Sequence, residues 1–395
     1  MYKKLFTTSI INAAIAVVNI FSSFIIVKVL SLQIFGELAI FSSYLAFGGL
    51  IFALIPSNFS IFKLQDDKKY QTILLSFFIL ASVFFSFFVV IMNISGLIKM
   101  NFLIVYLFGI STFFLGYFDI KFQAFGQLNK YFMMLFIVSI LKIFTLIVFF
   151  YLGRLNSLID LIWTMNIVQL LVITFFLFQD RKELISIFKN VKSFKETLLF
   201  IKNNFSIFKS YYLNTFLKRF RENIIVLIFS KFTSNDIIGL FSIFVKITSF
   251  VFGLSRTIEA FFMNRLNIEK FKDRFYQKII YFAISLQIIF LIVGIIYLKF
   301  FVNKYYFFEI LIQSFLVYPH VFFLLARSEM YSKYSNIEAN ISEIIYVGIV
   351  LIGGVISYSF HLISIYPILI TFILSTFGLQ LYMIFSHNKK IKNHD

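Results

Sequence analysis

Apolar runs recur from Phe6 almost to the C-terminus, each parted from the next by a short polar stretch. A helix needs about 20 apolar residues to cross the roughly 30 Å hydrocarbon core of a bilayer, and these runs have that length. They cover about residues 6–29, 38–56, 72–95, 102–118, 132–151, 159–179, 206–230, 237–258, 279–298, 306–326, 340–359 and 364–386. Lipid offers no partner for an exposed backbone N–H or C=O, so each run is expected to be a helix. The runs lack the period-two alternation of a transmembrane β-barrel. Twelve spans take about 240 positions, which leaves a 395-residue chain short loops and tails. Charged residues make up 14% of the chain, against roughly 25% in soluble domains. A soluble enzyme and a disordered chain are thereby excluded. The chain has no cysteine, which removes disulfides, thiolate metal sites and cysteine nucleophiles. No P-loop, Gly-x-Ser-x-Gly, HExxH or Gly-x-Gly-x-x-Gly is present either, so no cofactor or metal is expected.

The net charge of +18 reads in a membrane chain as orientation rather than affinity for nucleic acid, because basic loops stay on the cytoplasmic side. With the N-terminus placed inside, two thirds of the 36 Lys and Arg residues fall on inner segments. The outer ends and loops hold Lys28, Lys99, Arg154, Lys231, Lys299 and Lys304. This asymmetry predicts a multi-pass membrane protein with both termini cytoplasmic. The apolar run that follows Met1-Tyr2-Lys3-Lys4 is too long for a signal-peptide core and has no small-x-small cleavage site, so it is expected to stay as the first span.

The longest segment between spans is residues 180–205. Its apolar positions Leu184, Ile187, Phe188, Val191, Phe194, Leu198 and Ile201 recur at helical spacing with lysines on the other face. That pattern suits a basic amphipathic linker lying on the inner leaflet. It divides the chain into an N-terminal six-helix lobe at 1–179, a C-terminal six-helix lobe at 206–386 and a cytoplasmic tail at 387–395. Ile25-Ile26-Val27 before Gly36 echoes Ile224-Ile225-Val226 before Gly239, with four extra residues in the second copy. The expected fold is therefore an all-α membrane protein, about twelve transmembrane helices in two pseudo-symmetric lobes around a central cavity.

Span seven carries Lys218, Arg219, Arg221 and Glu222 at its middle. Each Lys or Arg at a helix centre costs about 2.5–3.5 kcal/mol on insertion scales, and each large apolar side chain returns about 0.3–0.6. Such a helix is tolerable when its charges face water or partners within the bundle. Lys218, Arg221 and Glu222 share one helical face. Span eight adds Lys246 and Arg256, about 80° apart around the helix, and span five adds Lys142. The intramembrane acids are Glu222 and Glu309, candidates for ion pairing or coupling. The inferred interior is cationic and suits an anionic substrate, with Arg offering bidentate contacts to phosphate and Lys a point charge. Plainer readings stand beside these. Glu222 neutralises Lys218 or Arg219, or span seven starts near Asn223 and its charges snorkel as inner anchors. Arg256 is equally an inner-end anchor, and His320 beside Pro319 is a packed polar residue at a kink rather than a proton relay.

Three stretches resemble the polysaccharide flippase family, the O-antigen repeat-unit translocases of the multidrug/oligosaccharidyl-lipid/polysaccharide exporter superfamily. They are Val27-Lys28-Val29-Leu30-Ser31-Leu32-Gln33-Ile34-Phe35-Gly36-Glu37-Leu38-Ala39, then Gln123-Ala124-Phe125-Gly126-Gln127-Leu128-Asn129-Lys130-Tyr131, and the charged span seven running into Ile237-Ile238-Gly239-Leu240-Phe241-Ser242. The resemblance covers essentially the whole chain. It implies alternating access that moves a glycan on undecaprenyl pyrophosphate across the inner membrane, for O-antigen or capsular polysaccharide. It implies that Lys218, Arg219, Arg221, Lys246 and Arg256, with Lys142, hold the pyrophosphate and sugar. The expected partners are the lipid-linked glycan, membrane lipids, and the polymerase and chain-length regulator of the same pathway. Two rivals are weighed against it. An O-antigen polymerase would carry a long outer loop with Arg and His, which is absent. A drug/cation antiporter of the same superfamily would need an acidic interior.

Overall fold

The computed structural model describes residues 2–67, 69–182, 184–185, 192–263, 273–299, 306–333 and 337–392. Among these residues the regular structure is entirely helical. The first helices are α1 (Tyr2–Val29), α2 (Leu32–Gly48) and a short 3₁₀ turn (Gly49–Ala53), followed by α3 (Ser57–Asp66), α4 (Tyr70–Ile94) and α5 (Phe102–Ala124). Then come α6 (Leu128–Tyr151), α7 (Leu158–Gln179), α8 (Lys192–Asn203), α9 (Phe205–Phe229), α10 (Asn235–Met263) and α11 (Asp273–Tyr297). The last four are α12 (Phe307–Ser314), α13 (Val317–Lys333), α14 (Ile337–Ser359) and α15 (Ile365–Lys392). The expected spans fall on these helices, the second on α2 and the 3₁₀ turn and the tenth on α12 and α13 together. Among the described residues nine are long and apolar enough to cross a membrane. The expected spans that miss this measure are the first, of which Val17–Val29 is the described apolar part, the 17-residue α2, and the charged α9. The chain is an all-α membrane protein.

Local chemistry explains where helices begin and end. Asn101 accepts from the Leu103 N–H at 2.9 Å and caps α5. Ser157 accepts from the Asp160 N–H at 3.3 Å and caps α7, while the Asp160 carboxylate sits in the first turn, where the helix dipole favours an anion. Gly126 and Gly153, both at φ +65°, close α5 and α6. Each lets the next N–H turn back on the helix, Gln127 to Phe122 O at 2.7 Å and Arg154 to Phe149 O at 2.9 Å.

Two features depart from the simple span list. Residues 57–66, expected as a loop, form the helix α3. The tenth span is split into α12 and α13. Pro319 lacks an N–H, and its ring would collide with the Phe315 carbonyl of a continuous helix. The chain makes tighter turns there instead, Phe315 N–H to Ile312 O at 3.2 Å and Leu316 N–H to Gln313 O at 3.1 Å.

By compactness the chain forms two units, Met1–Ile40 with Phe220–Asp395, and Phe41–Arg219. In the Phe41–Arg219 unit, α5 packs against α3, α4, α6 and α7, and α8 packs on α4. Buried polar groups lock its helices together. Ser111 on α5 lies 3.3 Å from both Asn166 and Gln169 on α7. Asp180, just past α7, pairs with Lys121 and accepts from the Tyr117 hydroxyl at 3.0 Å. Gln71 on α4 reaches Tyr117 at 3.4 Å.

In the other unit α10 is the central element, packed against α1, α11, α13 and α15, and α14 packs on α15. Gln313 donates to Thr248 Oγ1 at 2.6 Å, and His320 stacks on Phe252 with ring centroids 3.5 Å apart. His320 is buried next to Gln380, whose side chain is 3.4 Å from its Nδ1. Two helices come close where α2 meets α10. A Cβ on Gly36 would strike the Asn235 carbonyl and crowd the Gly239 nitrogen, and one on Gly239 would strike the Leu32 carbonyl. Only hydrogen side chains allow the backbones this near. Asn235 donates to Glu37 at 3.2 Å beside the crossing.

Of the linker's apolar positions, Ile187, Phe188 and Val191 lie outside the described residues. In α8 the inward face carries Thr197 and Phe200. Leu198 and Leu199 point outward at 54% and 47% exposure.

Candidate functional site

The Phe41–Arg219 unit encloses a cavity of about 530 Å³. Its wall is largely apolar, with Leu45, Ala46, Phe52, Phe108 and Phe113 among the lining residues. The polar groups are Ser42, Ser57, Thr112, Gln169 and Thr215, and the charges are Lys142 and Arg219. No carboxylate lines it among the described residues. Lys142 comes from the middle of α6, and Arg219 from α9. Gln169 is steadied by the Ser111 hydrogen bond on the far side.

Arg219 is held in place before any ligand arrives. Its Nη1 donates to the Ala46 carbonyl at 3.3 Å, in the last turn of α2, where helix carbonyls run out of partners along the helix. Its guanidinium carbon lies 6.0 Å from the Phe113 ring centroid, at the outer limit of a cation–π contact. Gly49 makes the room, since a Cβ there would run into both Phe113 and the Arg219 guanidinium. Helix α9 places Lys218 one residue earlier, exposed and outside the cavity lining.

Of the other charged side chains named from the sequence, Arg221, Glu222 and Lys246 belong to the second unit and have partners there. Arg221 Nη1 lies 2.9 Å from Glu343 Oε1 on α14, with the two side chains 16% and 13% exposed. Glu222 is 3.7 Å from Arg221 and half exposed. The neutralising contact of Glu222 is thus with Arg221, its chain neighbour, among the ion pairs of the described residues. The Arg221 guanidinium also sits 5.9 Å from the Tyr346 ring centroid. Lys246 donates to Ser23 Oγ at 2.6 Å and lies 4.7 Å from the centroid of Phe35. Ser23 in turn donates to Asn19 O at 3.0 Å. Glu309 stands in the first turn of α12, where the dipole favours a carboxylate. The Arg256 side chain lies outside the described residues.

Lys142 and Arg219 are therefore brought to one hollow, whereas Arg221 and Lys246 enter polar contacts of their own unit. Sequence reasoning missed two contributors. Glu343 is the nearer partner of Arg221; its place seven residues into α14, at the edge of an apolar run, was the available signal. Gln169, a polar residue inside a long apolar helix, was the signal for the cavity wall. Among the described residues no group of three or more His, Asp and Glu could hold a metal ion.

Two fixed cations at the wall of a mostly apolar hollow can bind a phosphate group. Arg supplies paired donors and Lys a compact charge. The volume lies within the ~300–1,000 Å³ of small-molecule sites.

No protein-family model matches the sequence, and no curated protein is significantly similar to it. Solved structures do match. A multidrug resistance MATE family transporter of the MOP superfamily, in an outward-facing conformation, superposes with TM-score 0.55 at 12% identity, covering 98% of this chain and 95% of that one. A MATE protein in complex with Br-NRF gives TM-score 0.53 at 10% identity, over 99% and 95% of the two chains. The lipid II flippase MurJ in an inward closed conformation gives TM-score 0.51 at 16% identity, over 96% and 87%. The chain has the all-helical membrane fold that MATE transporters and MurJ share.

Proposed function

We propose that this protein is a transporter that flips an oligosaccharide repeat unit, linked to undecaprenyl pyrophosphate, across the bacterial inner membrane by alternating access. The observation that carries the reading is the 530 Å³ cavity with Lys142 and Arg219 in its wall and no lining carboxylate among the described residues. A pyrophosphate headgroup is opposite in charge to both side chains. The sugar finds hydroxyl and amide partners in Ser42, Thr112, Thr215 and Gln169. The lipid tail stays in the bilayer beside the exposed apolar side chains of the spans. A cation–drug antiporter would need the opposite sign of charge in this hollow, and the fold also serves the lipid II flippase MurJ. No covalent bond is made or broken in this cycle, so the protein is a carrier rather than an enzyme.

In this mechanism the cargo's phosphate takes Arg219 from the Ala46 carbonyl. A charged acceptor makes roughly twice as strong a hydrogen bond as a neutral one, so the exchange is downhill. Lys142 then fixes the second phosphate. Lys218, exposed one residue before Arg219, is assigned to the entry path rather than the seat.

The test uses a strain deleted for this protein and complemented with variants. Arg219→Ala and Lys142→Ala should each cut surface glycan by roughly tenfold or more, the effect of losing about 1.4 kcal/mol or more of binding. Lipid-linked sugar should accumulate on the cytoplasmic side, with the protein still in the membrane. Normal glycan in both variants rejects the assignment.

A further inference from the structure

The Phe41–Arg219 unit carries a second hollow of about 520 Å³, which shares no lining residue with the first. It lies between α3, α8 and the start of α9. Its floor is aromatic. The Phe59 and Phe200 ring centroids are 5.9 Å apart, Phe59 lies 5.1 Å from Phe208, and Phe200 lies 5.2 Å from Tyr70. Ser60 and Tyr70 join hydroxyls at 3.2 Å. This cluster fixes α3 against α8, so the hollow keeps its shape. The Asn204 amide donates to the Phe200 carbonyl at 2.8 Å, which holds the Asn204 side chain at the rim. Phe62 also lines the hollow and is 67% exposed.

Two opposite charges face this hollow. Lys63 and Asp66 both line it, both are exposed, and both lie on α3 three residues apart. Side chains at that spacing start about 5–6 Å apart at Cβ, within easy reach of an ion pair. Neither takes part in the ion pairs of the described residues. A cation and an anion set side by side, not closed on each other and backed by a greasy floor, fit a ligand that is itself a compact dipole with an apolar body. Tyr70, the first residue of the α4 span, belongs to the floor cluster, which puts the hollow at the level where a span leaves the lipid.

We infer that this hollow seats the headgroup of a zwitterionic aminophospholipid, with its phosphate on Lys63 and its primary ammonium on Asp66. The acyl chains run over Phe62 and past the outward Leu198 and Leu199 of α8. Charge-assisted hydrogen bonds form at both ends of the headgroup. An anionic headgroup would set its surplus charge against Asp66. A quaternary ammonium has no N–H to give the carboxylate. The inference is independent of what the first cavity carries.

The test is native mass spectrometry of the full chain, released from detergent after equilibration with equal amounts of phosphatidylethanolamine, phosphatidylcholine and phosphatidylglycerol. The wild type should retain phosphatidylethanolamine several-fold over the other two. Lys63→Ala should lose that retention, and Asp66→Asn should level phosphatidylethanolamine with phosphatidylcholine. Thermal midpoints with each lipid added provide a second readout, with the largest rise expected for phosphatidylethanolamine in the wild type alone. Equal retention of all three lipids, a preference for phosphatidylglycerol, or a preference unchanged in both variants would overturn the assignment.

Discussion

A largely buried guanidinium needs a counter-charge, and Arg221 finds its nearer one 122 residues further along the chain, in Glu343. Taking away one member of a largely buried pair leaves the other desolvated and uncompensated, which costs about 3–5 kcal/mol. Glu343→Gln should therefore lower thermal stability markedly. The double replacement Arg221→Met with Glu343→Leu should recover most of the loss, because neither charge then remains. Thermal unfolding in detergent, read as a double-mutant cycle, checks both outcomes. Glu222→Gln should cost far less, since its carboxylate is half exposed and 3.7 Å away. The cationic residues themselves were legible in the sequence, since a Lys or Arg inside an apolar run stands out by its cost. Their sorting was not. Whether a charge on α9 faces Ala46 or Glu343 depends on helices joined only through tertiary packing, and adjacent positions on one helix diverge by about 100°.

Helices show the same division between what a local pattern can and cannot reveal. The expected spans all fall on helices because lipid leaves an apolar run no other choice. Helix α3 escaped notice because a ten-residue segment with Lys63 and Asp66 has no span-like run to mark it. The break before α13 could have been read from Pro319, whose demand falls four residues upstream. The echo of Gly36 in Gly239 acquires a physical meaning here, since the two positions meet at the crossing of α2 and α10. Added bulk there strikes backbone rather than a movable side chain. Gly36→Ala and Gly239→Ala should each destabilise the protein by about 1–3 kcal/mol, the usual cost of overpacking. Gly116→Ala, where a Cβ meets nothing within 4 Å, should be close to neutral. Melting temperatures of the three variants decide the point.

On the scale of the molecule, the outward side chains of the spans are as apolar as the buried ones. Leu171, Phe144 and Ile91 are all more than half exposed in the middle or outer parts of their helices. A water-facing protein rarely shows contiguous apolar surface on this scale, and lipid is the solvent that accepts it. Leu171→Arg should lower the membrane-inserted fraction in cells, because a lipid-facing Arg near a helix centre costs about 2.5–3.5 kcal/mol. Fractionation of membranes against aggregates measures it. Within that lipid-facing shell, the contact between Arg219 and the Ala46 carbonyl is a resting pose for the proposed cycle. An uncharged oxygen is a weak rival, strong enough to keep the arginine parked between rounds and too weak to detain it. Once the cargo has left, the same oxygen would reclaim its tenant, returning the arginine to its starting pose.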